Sequence, residues 1–345
     1  MSQRKPARSP YLVGPRYDWA FFLMPPLAAL VVGILISGTS FAEAVFELGG
    51  GEVTMAGLVI GTIIHAHLVA VFFRSHGNRD IFRLYPWRFV AVPLIVWALV
   101  VSSTWMAIIA TVVATFWDVW HSGAQTFGFG RIYDRNLGNP SEAGRRLDLW
   151  LNQLLYAGPI LGGVTLLDHL DQFHDFEAVG AVILTEVPAH AESAQRHLTW
   201  AVVGAGTLFL AYYVYFNWQL ARRGVRPSPL KVFLYVSTGA CSIYTWGFNS
   251  WGEAFFIMNL FHAVQYLALV WAMEHRRWLR WFERGGRPVR KPAVAAMFLG
   301  AVGAYGWAVQ LIDPGWTALW AITIVVSLMH FWYDGFIWSV RKSQV

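Results

Sequence analysis

The chain has 345 residues, of which 56% are apolar and only 13% charged, with 19 Trp and a positive mean hydropathy. That balance describes an integral membrane protein and excludes an ordinary soluble enzyme. The formal charge of +6 sits in short loops between apolar runs and needs no nucleic-acid partner, while the single cysteine, Cys241, excludes an internal disulfide framework or a metal site of clustered thiolates.

Met1 to Arg16 is basic and polar, and the apolar run that follows, Trp19 to about Ile36, is longer than a secretory h-region and close to a full span. It reads as the first transmembrane helix. Apolar segments fall at about 17–38, 53–73, 89–104, 106–130, 149–167, 198–219, 231–248, 254–273, 293–312 and 317–339. The expectation is an all-α, polytopic helical bundle of about ten transmembrane helices forming a single membrane domain over 1–345. From Phe89 to Gly130 the only charge is Asp118, and one helix of that length would run about 63 Å, twice a bilayer. A turn is therefore expected at Ser102-Ser103-Thr104.

Basic residues set the orientation. With the N-terminus in the cytoplasm, 25 of the 26 Lys and Arg fall on the inside, Arg196 being the exception. Both termini are then cytoplasmic, in what reads as a bacterial inner membrane. The segment Arg276-Arg277-Trp278-Leu279-Arg280-Trp281 reads as an anchor on anionic membrane lipids. The longest external loop, about 168–197, mixes Asp168, His169, Asp171, His174, Asp175, Glu177, His190 and His197, and reads mainly as solvated surface.

Five histidines lie inside apolar segments: His65 and His67 in the second, His121 in the fourth, His262 in the eighth and His330 in the tenth. These segments all run from outside to inside, and each histidine stands 7 to 14 residues before the first basic residue at the cytoplasmic end. At 1.5 Å per residue the spread is roughly 10 Å of height, so the rings can meet at one level. Ionisable residues at such depth are costly and mark functional sites. Asp118 and Gln125 flank His121 at helical spacing, Asn259, Gln265 and Tyr266 flank His262, and Asp334 follows His330 by four positions. Asp118, Asp334, Gln125 and Gln265 suit ligand, catalytic or ligand-orienting roles. His65 and His67, two apart on a helix, point about 200° away from each other, so only one is expected to face the site.

Imidazole with carboxylate and no thiolate suits iron, and to a lesser degree zinc, copper or manganese. Aromatic residues crowd the same segments: Phe116, Trp117, Trp120, Phe127 and Phe129 in the fourth, and Phe331, Trp332, Tyr333, Phe336 and Trp338 in the tenth. They can line a slot for an apolar substrate; Phe129 and Trp338 read instead as headgroup-level aromatics.

The final segment, with His330, Asp334 and following aromatic and basic residues up to Arg341, resembles the last motif of the bacteriorhodopsin-related (Brp/Blh-like) β-carotene dioxygenases. His330 matches the motif's histidine and Asp334 its acidic companion; His65 or His67, His121 and His262 match only the pattern of one histidine per helix. The family's early Pro-His-Gly segment is absent here. The resemblance implies a non-haem iron held by histidines from four helices and oxidative cleavage of an isoprenoid double bond. The expected function is a membrane-embedded iron oxygenase or oxidase acting on an apolar lipid or isoprenoid-like substrate. The alternatives are a haem-binding electron-transfer protein and a proton-coupled transporter using the His and Asp residues as a relay.

Overall fold

A computed structural model describes residues 9–286 and 289–338. The basic residues Arg4, Lys5, Arg8, Arg287, Arg341 and Lys342, which enter the orientation argument, lie outside the described residues. The protein is all-α, 82% helical with 2% strand. Its main helices are α1 (Pro25–Ile36), α2 (Met55–Ser75), α3 (Pro86–Ser102), α4 (Thr104–Asn136), α5 (Arg145–Gly162), α6 (Val187–Arg222), α7 (Pro229–Phe248), α8 (Trp251–Arg284), α9 (Lys291–Val309) and α10 (Thr317–Ile337). Each expected apolar segment overlaps one of them.

Among the described residues, α2, α8, α9, α10 and the stretch Val182–Arg222 are long and apolar enough to cross a membrane. Pro15–Leu23 and Pro25–Ile36, bent by 48° at their junction, make a sixth if they count as one span. These helices make the chain an integral membrane protein. α4, α5 and α7 fall short of the same test because polar residues are set into them, among them Asp118 and His121, Asp148 and Asn152, and Lys231.

Local chemistry explains the boundaries. Pro86, Pro229 and Pro292 open α3, α7 and α9, where a missing N–H costs nothing and φ is already helical. Thr54 caps α2, its Oγ1 accepting from the Gly57 amide at 3.0 Å. The interruption between α3 and α4 falls at Ser103, which is extended (φ −147°, ψ 118°). Ahead of α2 a hairpin that the sequence reading did not include pairs β1 (Val45–Leu48) with β2 (Gly51–Thr54). Its turn is Gly49-Gly50, with φ of 62° and 79°, the positive angles that a two-residue hairpin turn requires.

The stretch expected as an external loop at 168–197 is largely helical. It contains Leu166–Leu170, a 3-10 stretch Asp171–Val179 and Val182–Thr185, and α6 already begins at Val187. The Ala, Glu, Gln, Arg and Leu residues between 189 and 198 are good helix formers, and Pro188 sits in the first turn, where it is tolerated.

The described residues form two compact units. The first comprises residues up to Val31, Asp118–Asp171 and Val187–Ala254; the second comprises Val32–Trp117, Gln172–Glu186 and residues from Phe255 on. In the first unit α5 packs against α6 and α7. Buried ionised groups gather there: Lys231 Nζ lies 2.8 Å from both Asp134 Oδ2 and Asp148 Oδ2, and Arg131 Nη1 lies 2.5 Å from Asp148 Oδ2. Lys231 and Arg131 are therefore engaged inside the protein and are not headgroup anchors, because each has a buried carboxylate to neutralise it. Phe129, read as a headgroup-level aromatic, is also buried, against Phe22 at 4.8 Å between ring centroids.

In the second unit α2 packs against α9 and α10, and α10 also against α3. A Cβ on Gly306 of α9 would collide with the Thr62 carbonyl of α2, so a glycine is needed for the two backbones to approach this closely. The core there includes Ala66, Ala70, Val71, Phe89, Tyr266, Val270, Phe298, Val302, Met329 and Tyr333.

Candidate metal centre

Three helices of the second unit, α2, α8 and α10, each bring one histidine to the same place. His67, His262 and His330 are 0–1% exposed. The His67 ring stands 5.1 Å from that of His262 and 5.0 Å from that of His330, nearly perpendicular to both (86° and 84°). One ring nitrogen from each lies within 4.8 Å of the others. Imidazoles bound to one ion at about 2.0–2.1 Å have nitrogens roughly 3.3 Å apart, so a modest contraction converts this cluster into a three-histidine site.

His330 is anchored from α2. Its Nδ1 donates to the Leu68 carbonyl at 3.1 Å, a contact that fixes the tautomer and leaves the Nε2 lone pair for a ligand. Nε2 stands 3.8 Å from Asp334 Oδ2, too far for a hydrogen bond. Asp334 is oriented through its other oxygen: Oδ1 accepts from Tyr266 Oη at 2.8 Å and from Trp338 Nε1 at 2.7 Å. The Tyr266 ring in turn lies 4.4 Å from His330 and 6.0 Å from His67. Trp338 thus holds the site's carboxylate in place of the headgroup contact expected from sequence, since Asp334 offers its indole N–H an acceptor one helical turn away.

Behind this layer lies an ion pair that the sequence reading did not single out. Arg74 is 3% exposed; its guanidinium sits 4.0 Å over the Trp338 ring and donates to the Ile337 carbonyl at 3.3 Å, capping the end of α10. Its Nη1 lies 2.6 Å from Glu274 Oε1, and Asn78 Nδ2 donates to both Glu274 oxygens at 3.2 and 3.1 Å. Arg74, used as a marker of the cytoplasmic end of α2, is accordingly a buried structural charge. The signal available was Glu274, a carboxylate in a long, largely apolar helical stretch. At the surface Arg277 pairs with Asp80 at 2.6 Å and holds that carboxyl below the usual range.

His65 turns away from His67, donating from Nδ1 to the Gly61 carbonyl at 2.8 Å beside the Gln310 amide of α9. Gln265, three residues after His262, is fully buried in the second unit, and Asn259 donates to the Phe255 carbonyl at 2.9 Å within α8. Asp118, His121 and Gln125 lie on the part of α4 that belongs to the first unit, where His121 is buried and the other two are half-buried. Of the residues at 168–197, His169 is buried between Trp246 and Trp251, while Asp168, Asp171, His174, Asp175 and Glu177 are exposed.

Compared with known proteins, the chain matches no family model, no curated protein and no solved structure.

Proposed function

We propose that the protein is a membrane-embedded, histidine-ligated iron oxygenase or oxidase acting on an apolar lipid or isoprenoid-like substrate. The observation that carries this reading is the convergence of His67, His262 and His330, buried on three helices of one unit, with an oriented carboxylate beside them. Three imidazoles and a carboxylate form a nitrogen-oxygen donor set that suits iron and leaves coordination positions open. Bound there, iron supplies the activation of dioxygen. The chain supplies the rest: the Leu68 carbonyl orients His330, Tyr266 and Trp338 hold Asp334 beside it, and the fold excludes bulk water.

Leu68 and Phe331, the residues following His67 and His330, pack with Val326, and around them lie Ile64, Phe72, Trp117 and Tyr305. This apolar wall beside the histidines suits a hydrocarbon-like substrate. The likeness of the His330–Asp334 segment to the Brp/Blh-like dioxygenases points the same way. A haem would need two imidazoles on opposite faces of a porphyrin, and edge-on rings 5.0–5.1 Å apart favour a single shared ion.

In this reading the chain crosses a bacterial inner membrane about ten times with both termini inside. Single cysteines placed in 168–197 then react with an impermeant reagent in intact cells and those in 276–291 do not; the reverse pattern inverts the orientation.

Elemental analysis of protein purified in mild detergent tests the site. Near-stoichiometric iron is expected, lost in His67→Ala, His262→Ala and His330→Ala and kept in His190→Ala and His197→Ala. Iron that survives all three intramembrane substitutions defeats the proposal.

A further inference from the structure

A polar stripe runs along the buried side of α7. Lys231, Tyr235, Thr238, Ser242 and Thr245 recur at spacings of four, three, four and three, which aligns them in one stripe. All five are buried, Thr238 to 1% and Ser242 to 0% exposure. In a membrane helix such a stripe is ordinarily small or apolar, and each polar group on it requires a partner.

Three of the five find that partner in the protein. Lys231 sits between Asp134 and Asp148, Tyr235 Oη donates to the Phe127 carbonyl at 3.3 Å, and Thr245 Oγ1 donates to the Cys241 carbonyl one turn back. Ser237, just off the stripe, also bonds its own helix, at the Leu234 carbonyl. The hydroxyls of Thr238 and Ser242 depart from this pattern: both are buried and neither has a hydrogen-bond partner among the described residues. Two adjacent hydroxyls left this way in an apolar medium are costly.

Their spacing specifies what satisfies them. The Cβ atoms of residues four apart on a helix stand about 5–6 Å from each other, and hydroxyls that lean together close this to the roughly 4.5 Å that one oxygen spans with two O–H···O bonds of about 2.8 Å. The facing helix is polar as well: on α5, which packs against α7, Asp148, Asn152 and Tyr156 recur every fourth residue, and Tyr156 Oη lies 3.2 Å from Thr126 Oγ1. A metal cation does not fit, because it needs about six oxygen ligands and a compensating charge, and Asp134 and Asp148 are already committed to Lys231 and Arg131. An anion finds no free positive group among these residues for the same reason. A neutral molecule that both donates and accepts, of water's size, fits.

We infer that a water molecule bridges Thr238 and Ser242 in the interior of the first unit. The inference is independent of the metal reading, which concerns the second unit.

Radiolytic labelling of the full chain in detergent and ¹⁸O-water tests it, since a water held inside produces hydroxyl radicals where it sits. Label is expected on Tyr235 and Cys241 next to the bridge and is lost in the Thr238→Val, Ser242→Ala double variant. Absence of interior label in the wild type, or label unchanged in the double variant, overturns the inference. Thermal melts give a second reading. Each single variant should melt about 2–4 °C lower, and the double variant no lower than the worse single, because the two hydroxyls share one water. Higher melting temperatures would mean dry hydroxyls, and additive losses would mean separate partners; either result overturns the bridge.

Discussion

In the first unit Arg131, Asp134, Asp148 and Lys231 meet at 2.5–3.2 Å, each charge touching an opposite one, with Tyr213 Oη donating to Asp148 at 2.7 Å. In the second unit three imidazoles gather, one ring nitrogen of each within 4.8 Å of the others. Opposite charges hold one another in place, whereas like ligands stay together only where the surrounding structure holds them. The Leu68 carbonyl, the Tyr266–Asp334–Trp338 contacts and the Arg74–Glu274 pair do this for His330. The two buried polar clusters thus differ in kind: the charges of the first hold one another, and the imidazoles of the second are held by the residues around them.

Removing one member from each tests that difference. The largest effect on folding is expected from Lys231→Met, which leaves two buried carboxylates facing a single arginine; breaking a buried pair in this way costs about 3–5 kcal/mol. The melting temperature in detergent should fall sharply while any folded fraction keeps its metal. An unchanged melt would show the cluster to be ornamental. His67→Ala should do the opposite, losing the metal with a smaller change in melting, and His65→Ala should keep it. If His65 proves essential and His67 dispensable, the ring contacts described above do not define the site.

A finer test concerns Asp334. Asp334→Asn preserves shape but removes the charge beside His330, and groups that orient a ligand typically contribute about 10- to 100-fold to metal affinity or activity. A folded variant with weakened binding is expected, with thermal stability measured in parallel; normal metal content would reduce Asp334 to a helix tether. The smallest effect lies outside the spans, at His169. Burial between two indoles lowers its pKa from 6.5, so the native state keeps it neutral while the unfolded chain takes up a proton as the pH falls below 6.5. Stability should therefore decline from pH 7.5 to 5.5, and His169→Gln should flatten that decline. A wild-type slope no steeper than the variant's would remove His169 as its source.

The helices were legible because apolar length is a strong signal, and even the interruption at Ser103 stood out as the polar break in an overlong run. The hairpin is hard to read from sequence even though Gly49-Gly50 marks its turn, since short strands carry little periodicity. The fates of Arg74 and Lys231 could not be read from neighbouring sequence: an arginine at the end of an apolar run looks like a headgroup anchor, and its actual partner, Glu274, is 200 positions away. The choice between His65 and His67 was likewise open, because the angle between them says that they diverge but not which one faces inward. Packing of α9 decides it, with Gly306 drawing the α2 backbone close and Gln310 standing beside His65.

The guanidinium of Arg74 closes on the Ile337 carbonyl across 263 positions of chain. During synthesis, α2 enters the membrane long before its partner exists, so the arginine and His67 must wait through the insertion of the intervening segments. Neither the third histidine nor the clamp that steadies it is present until α10 arrives. The grouping of His67, His262 and His330 is consequently completed late, after translation of nearly all the helices, because its last member arrives only with α10.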